Sequence, residues 1–332
     1  MSNDDSRLEA DSQETSSQEN GSGKKMFGHT RVINFMKYRT LATVFSVVLL
    51  LGSIGSLFVN GINFGLDFTG GTLVELSYEE AASVPEIRNQ LEQLGHTDAV
   101  AQEFGSASDV LIRIPGAEAD VNLGSRVAKQ LDDLYDGDIT VKRVEFVGPQ
   151  VGEQLRDQGG LGMMLALALV MLYIAFRFQY KFSIGAVVAL AHDAIVVLGL
   201  FSLLGLQFDL TVLAAILAVI GYSLNDTIIV YDRVRENFRK VRRGTPEDII
   251  NISLSQTLGR TLATSGTTMM VLFSLFFLGG ETIHGFSTAL LVGVGIGTYS
   301  SIYIASNMLL YLNVTREDLI PPPKEEDADE MP

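Results

Sequence analysis

Long apolar runs alternate with polar segments of very unequal length along this chain. The runs occupy residues 41–59, 161–176, 183–204, 210–230, 261–278 and 286–312. A helix rises about 1.5 Å per residue, so most of these runs can cross a hydrocarbon core about 30 Å thick. Six transmembrane helices are therefore expected. The second run is short, but Arg177 at its end can snorkel to the interface.

The polar segment 61–158 has a finer pattern. Period-two alternation predicts strands over 72–78, 100–105, 110–114 and 139–147. Helical periodicity predicts helices over 83–94, with Pro85 in the first turn, and over 121–135, ended by Asp136 and Gly137. The order β-α-β-β-α-β is that of a ferredoxin-like sandwich. The expected fold class is a polytopic α-helical membrane protein with six transmembrane helices and a small α+β ferredoxin-like extracytoplasmic domain. Its expected divisions are a tail 1–39, a first membrane helix 40–60, the domain 61–158, a five-helix bundle 159–312 and a tail 313–332. Residues 1–23 carry hardly an apolar side chain, so burial cannot offset the entropy of ordering them, and the proline-led stretch 321–330 is alike. Both are expected to be disordered.

Charge decides orientation and excludes one class of partner. The net charge is −15, and segment 61–158 alone carries 18 acidic against 7 basic residues. Such a surface repels nucleic acid. With 8 lysines against 16 arginines it would suit high salt, where repulsion is screened, and equally reads as an acidic domain in an ordinary setting. Basic residues gather before the first run (Lys24, Lys25, Arg31, Lys37, Arg39), between the second and third (Arg177, Lys181) and after the fourth (Arg233, Arg235, Arg239, Lys240, Arg242, Arg243). The loops 205–209 and 279–285 carry none. Positively charged loops stay in the cytoplasm, which puts both termini there and 61–158 outside a plasma membrane. The first run lacks a small-residue cleavage site and is read as an uncleaved anchor.

Ionisable groups inside the runs cost about 2.5 kcal/mol or more each on insertion scales, so their positions carry information. Four stand out: His192, Asp193, Asp226 and Arg260. Asp193 shares a stripe with Gly185 and Ala189, which would let another helix approach closely. It is either a helix contact with one buried carboxyl hydrogen bond or a station in an ion pathway, while His192 reads as a neutral packing residue. Asp226, after Asn225, shares a face with Tyr222 and Ala218 expected to turn away from lipid, and either ties two helices together or serves as a protonatable group. Arg260 falls on a polar stripe with Ser253, Thr257, Thr264 and Thr267. That stripe suggests a hydrated seam or polar interface in which Arg260 pairs with a carboxylate; snorkelling to the interface is the other reading. Gly293, Gly297 and Ser301 recur at four-residue steps as a helix-packing face, and Asp232, Arg233, Arg235 and Glu236 read as a solvated helix turn.

Covalent chemistry finds no support. Cysteine is absent, and His29, His96, His192 and His284 are scattered without triad or metal-ligand spacing. No enzyme activity, metal or cofactor is expected. The stretch Phe64-Gly65-Leu66-Asp67-Phe68-Thr69-Gly70-Gly71 lacks the Lys-Ser/Thr that follows a phosphate loop, so by spacing alone it is a turn.

Taken together, several segments resemble the SecD/SecF family of the wider class of proton-driven resistance-nodulation-division transporters. They are Gly65 to Gly71 after the first run, Ala191-His192-Asp193 in the third, residues 221–237 (GYSLNDTIIVYDRVREN) in the fourth, residues 253–261 (SLSQTLGRT) and residues 297–302 (GTYSSI). The resemblance makes Gly65, Asp67, Gly70, Gly71 and Asn225 signature positions. It implies that the single small outer domain marks the SecF half, with a SecD partner supplying six more helices. It further implies a complex that assists a SecYEG-type translocon, acting on the translocating polypeptide outside while ions flow inward, with Asp226 and Arg260 matching ion-pathway residues and Asp193 lying in the third-run motif. Two other readings are a self-contained ion-coupled small-molecule exporter, which would need a symmetric dimer, and a purely structural SecD partner, which would tolerate a neutral residue at Asp226.

Overall fold

The computed structural model describes residues 18–20, 24–27, 30–115, 122–241, 244–315 and 318. Three short antiparallel strands, β1 (Gln18–Asn20), β2 (Lys24–Phe27) and β3 (Thr30–Arg31), come first. The tail expected to be disordered thus contributes one strand, because Lys24–Phe27 offers its backbone a partner edge. Residues 1–17 and the stretch 321–330 lie outside the described residues. A 3-10 turn, Phe35–Tyr38, leads into α1 (Arg39–Val59), the first apolar span.

A two-residue strand β4 (Asn63–Phe64) and one helical turn α2 (Leu66–Thr69) open the α+β domain. There follow β5 (Gly71–Tyr78), α3 (Val84–Gln93), β6 (Val100–Phe104), β7 (Ser106–Ile114), α4 (Leu123–Asp132) and β8 (Ile139–Val147). The sheet is antiparallel with order β6-β7-β5-β8, the ferredoxin-like topology. Alternation selects the face that meets the helices: Val74, Leu76, Val110 and Ile112 pack on Ile87, Leu91, Val127 and Leu131. Each such fully buried side chain contributes roughly 1.5–3 kcal/mol of transfer free energy. β7 begins at Ser106, earlier than expected, because Gly105 at φ +83° turns the chain tightly enough for Phe104 to pair with Ser106. Val121, the expected start of the second helix, lies outside the described residues.

The bundle follows without a linker. α5 (Pro149–Arg177) starts just after β8, with Gly148 as N-cap and Pro149 in its first turn, so the short second run belongs to a helix of 29 residues. Next come α6 (Tyr180–Leu204), β9 (Gln207–Phe208), α7 (Leu210–Lys240), α8 (Pro246–Leu278) and α9 (Glu281–Ser300). A π-helical turn, Ser301–Ala305, joins α9 to α10 (Ser306–Tyr311). Among the described residues, six helical stretches are long and apolar enough to cross a membrane.

α7 and α8 both outrun their apolar stretches and form a helical hairpin at the end away from the α+β domain. Asn237, nearly inaccessible, donates to Ser253 Oγ (2.8 Å) and Gln256 Oε1 (2.9 Å). The Thr245–Asp248 capping box starts α8 there. Residues 232–236, expected as a solvated helix turn, are one turn of this continuing helix, with Arg233–Glu236 (2.7 Å) and Arg235–Asp232 (3.3 Å) pairs. Arg39 at the foot of α1 pairs with Glu247 of α8, and Met36 N–H donates to Asn251 (2.9 Å).

Candidate functional site

Two buried carboxylates lie inside the bundle, and they differ in how well they are satisfied. Asp193 of α6 is fully inaccessible. Its Oδ2 accepts from Ser223 Oγ of α7 (2.6 Å) and from Ser300 Oγ of α9 (2.7 Å), while Oδ1 lies 3.1 Å from His192 Nδ1. One side chain thus pins three spans. The close approach needed for this comes from small residues. An ideal Cβ on Gly185 would meet Met308 Cβ at 3.2 Å and Ala305 O at 3.4 Å. Tyr231 Oη donates to Ala305 O (3.0 Å), taking up a carbonyl beside the π-helical turn. Such turns are rare within helices and gather at functional sites.

Asp226 of α7 is 1% exposed, one helical turn beyond Ser223. Its Oδ2 has a single long contact, 3.5 Å from Ser265 Oγ of α8, and Ser265 in turn shares a proton with Thr298 Oγ1 of α9 at 2.8 Å. Tyr222 Oη reaches the same serine at 3.5 Å. Among the described residues Asp226 Oδ1, Thr227 Oγ1 and Thr261 Oγ1 are buried without a hydrogen-bond partner. A buried oxygen left unpaired costs about 1–3 kcal/mol or more, so each such group calls for a physical cause. Asp193 is saturated; Asp226 has room for a further partner.

Arg260 does not fill that room. It is exposed on α8 and makes no ion pair among the described residues. The expected polar stripe splits in two. Stepping by four along α8, Ser253, Thr257, Thr261 and Ser265 are buried. Arg260 and Thr267 face outward with half-buried Thr264 between them, and both threonine hydroxyls donate to carbonyls of their own helix. Ala218, expected to turn away from lipid with Asp226, is likewise exposed, and Tyr222 of the same face is half-buried. On α7 the cause is the drift of steps of four against a 3.6-residue period. Gly293 and Gly297 sit where α9 crosses α7: a Cβ on Gly297 would lie 3.0 Å from Ser223 Cβ. The serines and threonines that complete both sites, Ser223, Ser265, Thr298 and Ser300, escaped sequence reasoning because hydroxyls are common in apolar helices and usually bond their own backbone.

The family model for the C-terminal part of "Protein export membrane protein SecD/SecF" matches residues 126–315, and that for the "SecD/SecF GG Motif" matches residues 55–82. The chain belongs to the SecD/SecF family. It is 55% identical over 301 residues to the protein translocase subunit SecF of Pseudomonas aeruginosa, covering 90% of this chain and 98% of that one. It is 45% identical over 305 residues to SecF of Escherichia coli O157:H7, covering 91% and 94%. Among solved structures it is similar to SecDF, a translocon-associated membrane protein from Thermus thermophilus, at 36% identity and a TM-score of 0.78. That match covers 85% of this chain and 39% of the SecDF chain, so the SecDF polypeptide is much the longer.

Within this SecD/SecF chain the signature glycines have a clear steric cause. Gly70 (φ +67°) and Gly71 (φ +126°) carry the backbone through left-handed geometry between the start of α5 and the end of β7. A Cβ on Gly70 would lie 2.8 Å from Pro149 Cα, and one on Gly71 would lie 2.5 Å from Ile114 O. A side chain on Gly70 would press the domain away from the start of α5, and one on Gly71 would press β5 away from the end of β7. Asp67 Oδ2 accepts the backbone N–H of Leu210 (3.0 Å), the first residue of α7. The signature is thus joint architecture, some distance along α7 from Asp226. A Cβ on Gly65 would lie 3.1 Å from Asp209 Cβ at the start of α7, and Asn225, the last signature position, is exposed on α7.

Proposed function

We propose that this chain is a SecF subunit of protein translocase, which pairs with SecD and assists export through a SecYEG-type translocon at the expense of a transmembrane ion gradient. Both termini are cytoplasmic, and the α+β domain faces the translocating polypeptide outside the plasma membrane. It works by conformational cycling, without covalent catalysis. The observation that carries this reading is Asp226: a carboxyl group shut inside the bundle with one oxygen unpartnered, while Arg260 of α8 is exposed and cannot release its proton. A proton arriving at Asp226 neutralises it, and a proton leaving creates a charge that draws Arg260 inward. Alternation between these states moves α8 against α7. Asp193, already saturated, holds α6, α7 and α9 together while that happens.

The SecD face follows from exposure. Thr211, Ala214, Ala218, Gly221 and Asn225 form an outward stripe on α7, and Arg260 and Thr267 are exposed on α8. Small and polar residues facing lipid gain nothing there, whereas against another helix they allow close packing and hydrogen bonds. SecD docked on this stripe would cover Arg260 and could supply its carboxylate. The test is gradient-dependent export in membrane vesicles at matched SecD and SecF levels. Asp226→Asn should assemble with SecD yet stop the stimulation, and Arg260→Lys, which keeps the charge but loses the planar fork, should lose part of it. Wild-type export by Asp226→Asn would remove the ion-relay role.

A further inference from the structure

The α+β domain is joined to the fourth span by more than a chain connection. β4, which leads into the domain, pairs in parallel with β9, which leads into α7: Asn63 lies opposite Gln207 and Phe64 opposite Phe208. Gly65 N–H donates to Phe208 O (2.8 Å), and Asn63 Nδ2 to Gly205 O (3.0 Å). On the domain side, Arg113 of β7 donates to Phe64 O (2.8 Å) and to Asn63 Oδ1 (3.3 Å). On the bundle side, Asp67 takes up the Leu210 N–H beside the Asp209 cap. Phe64, Phe68 and Phe208 fill the space between, with ring centroids 5.7–6.1 Å apart. Between Asn63 and Leu210 the two segments are thus tied by side chains as well as by the strand pair.

We propose that this assembly is a rigid latch that makes the α+β domain and the fourth span one mechanical body, with Asp67 and Arg113 as its positioning residues. A displacement of the helix that carries Asp226 then reaches the domain without an intervening hinge. The role in export rests on the function proposed above; the rigidity does not. A two-residue parallel strand pair is too short to hold two bodies by itself. The charged side chains at its two ends supply the constraint, Arg113 fixing β4 to the sheet and Asp67 fixing α2 to the first turn of α7.

The chain has no cysteine, so introduced ones report cleanly. Spin labels at Glu92→Cys in the domain and Lys240→Cys at the exposed far end of α7, in the full SecD–SecF complex, should give one narrow distance with and without an ion gradient. A broad or gradient-dependent distribution overturns the latch, whatever export does. Asp67→Ala and Arg113→Ala should each broaden the distance and lower gradient-driven export severalfold while SecD still copurifies. Asp67→Asn keeps an acceptor for the Leu210 N–H and should restore the narrow distance; a narrow distance in Asp67→Ala removes that residue from the latch. Neighbouring strands lie about 4.8 Å apart, within the Cα separation of a disulfide. In Asn63→Cys/Gln207→Cys, oxidation should therefore leave export at or above its reduced level. Export lost on oxidation and regained on reduction would put a moving joint there, and failure of the disulfide to form would deny the strand pairing itself. As a control, Asp226→Asn should keep the narrow distance, so that wild-type export by it tells against the ion relay alone.

Discussion

Replacing Gly293 by alanine should force two buried spans apart. The glycine of α9 lies against Val219 of α7, which is 1% exposed. An ideal Cβ on Gly293 would overlap Val219 Cγ2, lie 2.7 Å from Cγ1 and 3.0 Å from Cβ. Carbon atoms in contact prefer about 3.5–4.0 Å, so one of the two must give way. Val219 cannot rotate clear, because a β-branched residue in a helix has one strongly preferred χ1 and leaving it costs about 0.5–1.5 kcal/mol. Moving the helices instead would stretch the Ser223 and Ser300 hydrogen bonds to Asp193. Overpacking of this kind costs about 1–3 kcal/mol, and the coupled network puts Gly293→Ala in the upper half of that range. The assay is reversible unfolding of the isolated chain in mixed detergent micelles, run as a double-mutant cycle with Val219→Ala. Removing both Val219 methyls relieves the overlap except at Cβ, so the double variant should recover at least about 1 kcal/mol relative to additivity. Gly221→Ala serves as the control: its Cβ would meet nothing within 4 Å, and it should be neutral or mildly stabilising. Additive losses in the cycle, or no loss in Gly293→Ala, would refute the close helix contact.

Three further outcomes are expected. Asp193→Ala should lower stability in the same assay by about 3–5 kcal/mol, leaving Ser223 and His192 without an acceptor and Ser300 with only the Gly297 carbonyl, and Asp193→Asn by about half as much; equal losses would show that the acceptor count is not what matters. The fragment 72–148 should melt cooperatively, with two pH limbs. The hydrogen bonds from Lys142 and Ser77 hold the Asp109 carboxyl down at about 2, so the stability it adds is complete above the ordinary carboxylate range and is lost as pH falls towards 2. Burial, reinforced by Tyr135, pushes the Tyr78 hydroxyl up to about 12, so stability falls as pH rises from about 10, where the unfolded chain ionises first, to about 12. Asp109→Asn should flatten only the acid limb, and a melt without cooperativity would deny an independent domain. For topology, single cysteines at Ser106 and Thr282 should react with an impermeant thiol reagent on intact cells, whereas one at Ser22 should stay unlabelled.

The spans and the order of elements in the α+β domain were legible because each rests on local periodicity. A run such as 183–204 is apolar on every side, and 139–147 alternates, so neither needs a partner to be recognised. The same locality explains what was misjudged. The second span looked short because its polar first turns, 149–160, gain their helical start from Gly148 and Pro149 rather than from apolar spacing. The two carboxylates, Asp193 and Asp226, could be picked out from their cost in hydrocarbon alone. Which of them is saturated could not, since that depends on hydroxyls of α7, α8 and α9 arriving within 2.6–3.5 Å from residues 30 to 107 positions away. Arg260 shows the limit most plainly: a stripe counted along one helix fixes angular neighbours, but whether that stripe faces the interior depends on the rotation at which α8 packs on α7. Helix rotation is set by small-residue contacts between spans, such as Gly293 on Val219, and no single helix contains that information.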